Sequence, residues 1–318
     1  MALKVAVQMD PLDSINIAGD SSFALMLSAQ ARGYELFHYD VGALTLDADD
    51  RLFADAHPVT VQRVEGDHFR FGEIRRIDLG RDVDVVLMRQ DPPFHMGYIT
   101  ATHLLDRIKH ETLVVNDPAS VRDAPEKVFV LDFRQFMPPT LVTRSVAEVR
   151  HFMEEHGAVV LKPIHGNGGK AIFRIPADGE NLSALIEVFN QTWPEPHMVQ
   201  PFLPEVAEGD KRIVLIDGEV AGAINRKPGK GEFRSNLAQG GYAEATGLTP
   251  REQEICDALG PELKKRGLIF VGIDVIGGKW LTEINVTSPT GIITIDGFNG
   301  TDTPGMIWDA IERRLAQQ

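Results

Sequence analysis

The sequence predicts an α/β protein, in part α+β: a doubly wound parallel sheet over about the first 120 residues, followed by a two-part region built on antiparallel hairpins. Three observations predict it. Short apolar runs alternate with capped helical patterns as far as TLVVND, the spacing of strand–helix–strand units. From Glu126 the texture changes to paired apolar runs joined by turns. Two of those turns are glycine-rich, in LKPIHGNGGKAIFRI and in DVIGGKWLTEI, and each lies between β-branched or aromatic runs.

Taken in order, residues 3–9 read as a buried strand. Asp20-Ser21-Ser22 then caps a helix, FALMLSAQARG, that stops at Gly33. YELFHYDV is a second strand and VDVVLMR a third, with VTVQRV and FRFGEI between them as a hairpin. ITATHLLDRIKH is helical, and TLVVND is a strand ended by Pro118. Beyond it, EKVFVLDFRQF has helical spacing and SVAEVRHFMEEHG is amphipathic with a serine cap. AVVLKPI and KAIFRIP flank the glycine loop as an antiparallel pair, LSALIEVFNQTW is a helix, and HMVQPFLP is a strand with a proline stop. The last third holds the strands of KRIVLIDGEVAGAINR, a polar loop from Lys227 to Ala245, a helix carrying Cys256, and the strands LIFVGIDVIG and KWLTEINVT.

Composition narrows the function classes. The 318 residues are enough for two or three domains at about 100–200 residues each. Apolar residues make up 43% and charged residues 25%, the balance of an ordinary globular protein. A net charge of -14 repels nucleic acid and anionic membrane, so neither is expected as a partner. The single cysteine, Cys256, excludes an internal disulfide, and its helical surroundings place it in a core. The N-terminal run is shorter than a signal peptide and no window reaches about 18 apolar residues, so the expected compartment is the cytoplasm.

The glycine loop fits neither of the two common phosphate loops. A P-loop needs Ser or Thr after its lysine and a helix beyond, whereas Lys170 is followed by Ala171 and a strand. A dinucleotide fingerprint also needs a following helix. The loop therefore reads as a hairpin tip whose backbone N–H groups close over phosphate, with Lys162 supplying charge from the strand. A plain glycine turn between solvated lysines fits this stretch equally well.

A second constellation favours the phosphate reading. A two-residue turn at Gly278 and Lys279 pairs Asp274 with Glu283 across two strands, and Asn285 shares the face of Glu283. Facing carboxylates repel unless a cation lies between them, and an oxygen-only trio suits Mg2+ (or Mn2+). A solvated acidic face, or a bridge to Lys279, is the plainer alternative. The loop KPGKGEFRSNLAQGGYAEA is long enough for a lid, with Arg234 and Asn236 near its middle and four glycines for a hinge.

These features together resemble the ATP-grasp ligases. Within them DPLDSINIAGDSSF, MRQDPPF, RDAPEKVF, LKPIHGNGG, GDKRIVLIDGE, RSNLAQGG, GLIFVGIDVIG and LTEINVTSPTG are similar to the bacterial glutathione synthetase family, in order from residue 10 to residue 291. The resemblance implies an N-terminal substrate-binding domain (1–122), a central lid subdomain with the glycine flap (123–203) and a catalytic, metal-binding subdomain (204–318). It implies ATP-dependent joining of γ-glutamylcysteine and glycine through an acyl phosphate, in a homotetramer. Lys127 and Lys162 then contact the phosphates under a flap of Gly166, Asn167, Gly168 and Gly169. Gln200, Pro201, Phe202 and Leu203 hold adenine, Asp210 lies near the ribose, and Lys211 and Arg212 near the phosphates. Asp274, Glu283 and Asn285 match the magnesium ligands. The peptide lies against Asn16, Arg89, Ser288 and Thr290, and Arg226, Arg234 and Asn236 close over it. The catalytic set on this reading is Arg226, Arg234 and Lys162.

The chain departs from the family's usual pattern at Gln90, His165, Asn167, Lys170 and Gly291, positions that bear on the peptide substrate more than on ATP. Another carboxylate–amine ligase of the same mechanism, or a nucleotide-binding regulator without turnover, are the other readings.

Overall fold

The computed structural model describes residues 2–236 and 240–317, and within them three sheets form. In the first, the strands Glu35–Tyr39, Lys4–Gln8, Val85–Met88 and Leu113–Val115 lie side by side and parallel. Val5 and Val7 of the central strand enter one apolar core and Ala6 the other, so both faces of the sheet are covered. This is the doubly wound arrangement read from the alternation. The expected hairpin also forms, with Leu52–Val61 antiparallel to Phe69–Phe71. Leu52–Val61 pairs antiparallel with Glu35–Tyr39 as well, so the parallel sheet carries a mixed edge.

The second sheet is antiparallel, in the order Phe173–Ile175, Val159–Pro163, His197–Pro201, Leu141–Thr143. The third is antiparallel too: Tyr242–Ala245, Glu219–Lys227, Asp210–Ile216, Phe270–Ile276, Trp280–Asn285. Tyr242–Ala245, the end of the expected polar loop, is thus an edge strand. Residues 237–239 of that loop lie outside the described residues.

EKVFVLDFRQF differs from expectation. It forms a 3-10 segment, Phe129–Phe136, interrupted at Phe133 (φ -118, ψ 40), rather than a regular helix. Phe129, Val130, Phe133 and Phe136 all turn into the core, and Pro125 and Pro138 bracket the segment. Burial of four large side chains on so short a stretch overrides the helical spacing. The helix Pro250–Lys265 forms with a complete capping box between Thr249 and Glu252. Cys256 is buried in it, and burial pushes its thiol up to about 12, as befits a packing residue.

Polar pins seat the first sheet on the third. The Asn116 amide donates to the carbonyls of Phe270 and Val286 at 2.8 Å each, and its oxygen accepts from Phe270 N at 2.9 Å. Trp308 Nε1, on the C-terminal helix Thr303–Leu315, donates to the Leu25 carbonyl at 2.9 Å. The cleft that these pins hold open lies where all three sheets meet.

Candidate active site

Two adjoining cavities occupy that cleft. One, of about 640 Å³, lies between the second and third sheets. The other, of about 950 Å³, opens from the third sheet toward the first. Glu283 and Asn236 line both, so the two form one two-chambered site.

The glycine hairpin forms as the local sequence demands. Val159–Pro163 pairs antiparallel with Phe173–Ile175, and Gly168 and Gly169 take left-handed φ values of +59° and +73° at the tip. Lys162 is buried on the strand beneath, where its Nζ donates to Gln200 Oε1 at 3.0 Å. Burial lowers its pKa, and among the described residues no carboxylate stands within ion-pair distance of it. Lys127 is equally buried but fully engaged: it donates to the Gly166 carbonyl at 2.7 Å, lies 3.2 Å from Glu283 Oε1, and bonds Glu126. Burial opposes its charge, yet the two carboxylates hold its pKa above the usual range.

The smaller cavity has apolar walls. Val160, Ile172, Phe202, Val206 and Ile276 line it, joined by Pro201 and Leu203. The Arg174 guanidinium sits 4.0 Å over the Phe202 ring, and Phe233 meets Phe202 edge-on at 6.2 Å. A flat apolar body fits these walls, with Lys162 and Asp210 at its polar end.

The carboxylate pair forms by a different route from the expected turn. Residues 277–279 make a three-residue connection in which Gly277 and Gly278 both have φ +63°, and Ile276 pairs with Trp280. A bulge then shifts the register by one, which restores Asp274 opposite Glu283. The Thr282 hydroxyl closes the bulge on the Asp274 carbonyl at 3.1 Å. Asp274 is buried and clasped by two arginines: Arg212 Nε donates to Oδ1 at 2.5 Å and Nη2 to Oδ2 at 3.0 Å, and Arg226 Nη2 lies 3.0 Å from Oδ1. Burial works against its charge, but the two guanidiniums win and hold the carboxyl below the usual range. Arg226 also donates to Asp210 Oδ2 at 2.7 Å, which Ser235 Oγ meets at 3.1 Å. For Asp210, and for Glu126 beside Lys127, burial wins and the pKa rises.

The cation-ligand test turns on donors. Among the described residues no three His, Cys, Asp or Glu side chains converge as a metal site. The third member here is Asn285, whose buried amide nitrogen has no hydrogen-bond partner. Among the described residues no acceptor pins that nitrogen, so the protein does not fix which way the amide's oxygen turns. Asp274, Glu283 and Asn285 therefore supply an oxygen-only donor set that fits a hard cation.

Most residues expected at the site gather here. Lys162, Gln200, Pro201, Phe202, Leu203, Asp210, Arg234, Asn236, Asp274 and Glu283 line the smaller cavity. Asn167, Gly168, Arg212, Arg226, Asn236, Glu283, Asn285, Ser288 and Thr290 line the larger. From the loop that follows Glu219–Lys227, Arg234 Nη1 donates to the Gly169 carbonyl at 3.1 Å.

Lys127, Gly166 and Gly169 line neither cavity but meet at the flap's edge, and three further expected residues stand elsewhere. Lys211 points to the opposite face of its strand, toward the Gly247 carbonyl and Glu252 at 2.7 Å each, because alternation turns only Asp210 and Arg212 inward. Arg89 is buried, donating to Ser22 Oγ at 3.0 Å and the Pro289 carbonyl at 2.9 Å, so it braces the wall rather than facing the cavity. Asn16 lies outside both cavities in an exposed turn that its own side chain closes onto Ala18 N at 3.1 Å. Gln90 is also turned inward, paired with Gln8 at 2.5 Å.

The sequence reading missed Glu126, Ser235 and Asp91. Each neighbours a residue that was singled out, but nothing local shows which of two neighbours faces the cleft.

The sequence family described as "Prokaryotic glutathione synthetase, N-terminal domain" matches residues 3–122, and "Prokaryotic glutathione synthetase, ATP-grasp domain" matches residues 126–300. The chain is 56% identical to the glutathione synthetase of Rhodopseudomonas palustris over 99% of its own length and all of that relative. It is 53% identical to that of Brucella melitensis, at 99% and 100% coverage. Among solved structures it is similar to the D-cycloserine synthetase DcsG, with a TM-score of 0.68 at 17% identity over 98% of this chain and 99% of that one. The ATP-grasp ligase PsnB, complexed with its minimal precursor, gives a TM-score of 0.65 at 20% identity, covering 98% of both chains.

Proposed function

The chain belongs to the prokaryotic glutathione synthetase family and is an ATP-dependent ligase, and from that premise we propose how its two chambers divide the work. The smaller chamber takes ATP, with adenine between the apolar walls and the triphosphate running past Lys162 toward the glycine flap. The larger takes γ-glutamylcysteine and glycine. The observation that carries this reading is the junction: the carboxylate pair Asp274 and Glu283, with Arg212 and Arg226, stands where the chambers meet.

The cysteinyl carboxylate attacks the γ-phosphate there, releasing ADP and giving an acyl phosphate; glycine's amine then attacks the acyl carbon, and inorganic phosphate leaves with the amine's proton as the peptide bond forms. Two anions have to meet in the first step. Among the described residues the junction's carboxylates Glu126, Asp210, Asp274 and Glu283 pair with Lys127, Arg212 and Arg226, which leaves Lys162 as the one junction cation without an anion, too little charge to offset a triphosphate. Asp274, Glu283 and Asn285 would hold Mg2+ or Mn2+, which supplies that missing positive charge. Lys162 stabilises the transferring phosphoryl group, and Arg226 the oxyanion of the second step. Arg234 and Asn236 close the lid on the flap and exclude water from the acyl phosphate.

The three sheets correspond on this reading to an N-terminal substrate domain (1–122), a lid subdomain (123–203) and a catalytic subdomain (204–318). A homotetramer working in the cytoplasm belongs to the same reading. Among the described residues no helix is long and apolar enough to cross a membrane.

Phosphate release with Mg-ATP tests the function. Release only when γ-glutamylcysteine and glycine are both present, with a product of glutathione mass, is the expected result. Turnover with another acid or amine, and silence with this pair, would overturn it.

The flap yields a further expectation. Gly169 has φ +73°, and a Cβ there would lie 2.3 Å from Asn236 Oδ1. Gly169→Ala is therefore both strained and in the path of the lid. The left-handed strain alone is about 1–2 kcal/mol and is relieved when the flap swings out of this conformation, so kcat/KM for ATP should fall about 5- to 30-fold while global stability, which the flap tip does not carry, changes little. Steady-state kinetics against ATP at saturating peptide and glycine checks this.

A further inference from the structure

Charge accounting in the larger cavity singles out one residue. Five charged side chains line it: Asp91, Glu126, Arg212, Arg226 and Glu283. Four are already paired within the protein, Glu126 and Glu283 with Lys127, Arg212 with Asp274, and Arg226 with Asp210 and Asp274. Among the described residues only Asp91 of the five lacks an oppositely charged partner within ion-pair distance.

Asp91 is nevertheless held in place. Its Oδ1 accepts from Ser288 Oγ at 3.0 Å, and its backbone N donates to Asp10 Oδ2 at 2.9 Å. Pro92 and Pro93 follow and stiffen the chain. Arg89, two residues earlier, is committed to Ser22 and the Pro289 carbonyl. Asp91 is exposed, so water can solvate it, but Ser288 fixes its direction at the cavity wall, and a cationic group entering there meets a positioned carboxylate without displacing a protein partner.

The proposed acid substrate brings one such cation. Its cysteinyl carboxylate reacts beside Arg226, Glu283 and Asn285, which leaves the γ-glutamyl head for the part of the cavity formed by Asp91 and Ser288. The glycine amine is the other candidate, but it attacks only when deprotonated, and a carboxylate partner stabilises the protonated form. We propose that Asp91, steadied by Ser288, receives the α-ammonium of the γ-glutamyl head and so selects acids that carry a free α-amino group. This rests on γ-glutamylcysteine being the acid substrate.

The test compares γ-glutamylcysteine with glutarylcysteine, the same acid without its α-amino group, in the wild type and in Asp91→Asn. Losing a hydrogen bond to a charged group should raise the wild-type KM for glutarylcysteine by about 10- to 100-fold over γ-glutamylcysteine. D91N should raise the KM for γ-glutamylcysteine by a similar factor while glutarylcysteine, glycine and ATP keep theirs. Equal weakening of both acids by D91N would reduce Asp91 to a structural role and overturn the proposal. A raised KM for glycine alone would place the other amine there and overturn it too. If D91N does not fold, the wild type decides, since equal KM values for the two acids also refute ammonium recognition. Failure of the premise shows separately, as no turnover of γ-glutamylcysteine by the wild type.

Discussion

Asp274→Ala is expected to abolish measurable ligation and to lower stability by about 3–5 kcal/mol, the cost of removing one partner from a buried ion cluster. The reason is geometric. Asp274 is buried and receives both Arg212 and Arg226, so its loss leaves two guanidiniums facing each other without their shared anion. Among the described residues Arg226 would keep Asp210, and Arg212 would keep only the Thr290 carbonyl at 3.3 Å. On the proposed reading ligation suffers twice, because a cation ligand goes and the arginines lose their aim; removing even one preorganised group costs about 100- to 1,000-fold in kcat. Asp274→Asn separates the two effects. It keeps the shape and one acceptor oxygen, so urea unfolding should show a smaller loss than for alanine, while activity stays as low. A fully active asparagine variant would remove Asp274 from the reaction.

Lys162→Met should show the opposite pairing of effects: a fall in kcat of about 100- to 1,000-fold with stability unchanged or slightly higher. Lys162 is buried with one neutral partner, Gln200, so its charge is costly to the folded protein in the absence of an anion. Burial lowers its pKa, and the sign of the pH dependence follows. Between the folded and unfolded pKa values the unfolded chain binds more protons, so the wild type gains stability as pH rises through that window. The methionine variant lacks this gain. The difference in urea midpoint between the two should therefore shrink from pH 7 toward pH 9.5, and a difference that widens would contradict the assignment. If kcat is retained, Lys162 is no part of phosphoryl transfer.

Much of this molecule is written locally. The alternation of apolar runs and caps determines the parallel strands from Lys4–Gln8 to Leu113–Val115, because a strand, its stop and the next cap are each encoded within a few residues. The glycine hairpin is likewise legible, since β-branched flanks and left-handed glycines leave the chain few other conformations. The pairing of Asp274 with Glu283 was also readable, although the turn that produces it was not. A three-residue connection and a bulge at Thr282 arrive at the register that a two-residue turn predicts.

The orientation of the charged residues needed the tertiary structure. In MRQDPPF the sequence offers Arg89, Gln90 and Asp91 alike, yet packing of the first sheet on the third turns Arg89 onto Pro289, strand pairing within the first sheet turns Gln90 onto Gln8, and Asp91 is left at the cavity. Arg212, Arg226, Asp210 and Asp274 come from three strands spread over more than sixty positions, and become one cluster only when those strands pair. Periodicity and turn chemistry act between neighbours in the chain, so the sequence by itself determined the strands, the flap and the residue types of the site. Desolvation and charge pairing act between neighbours in space, so only the folded sheets decided which of those charges pair within the protein and which do not.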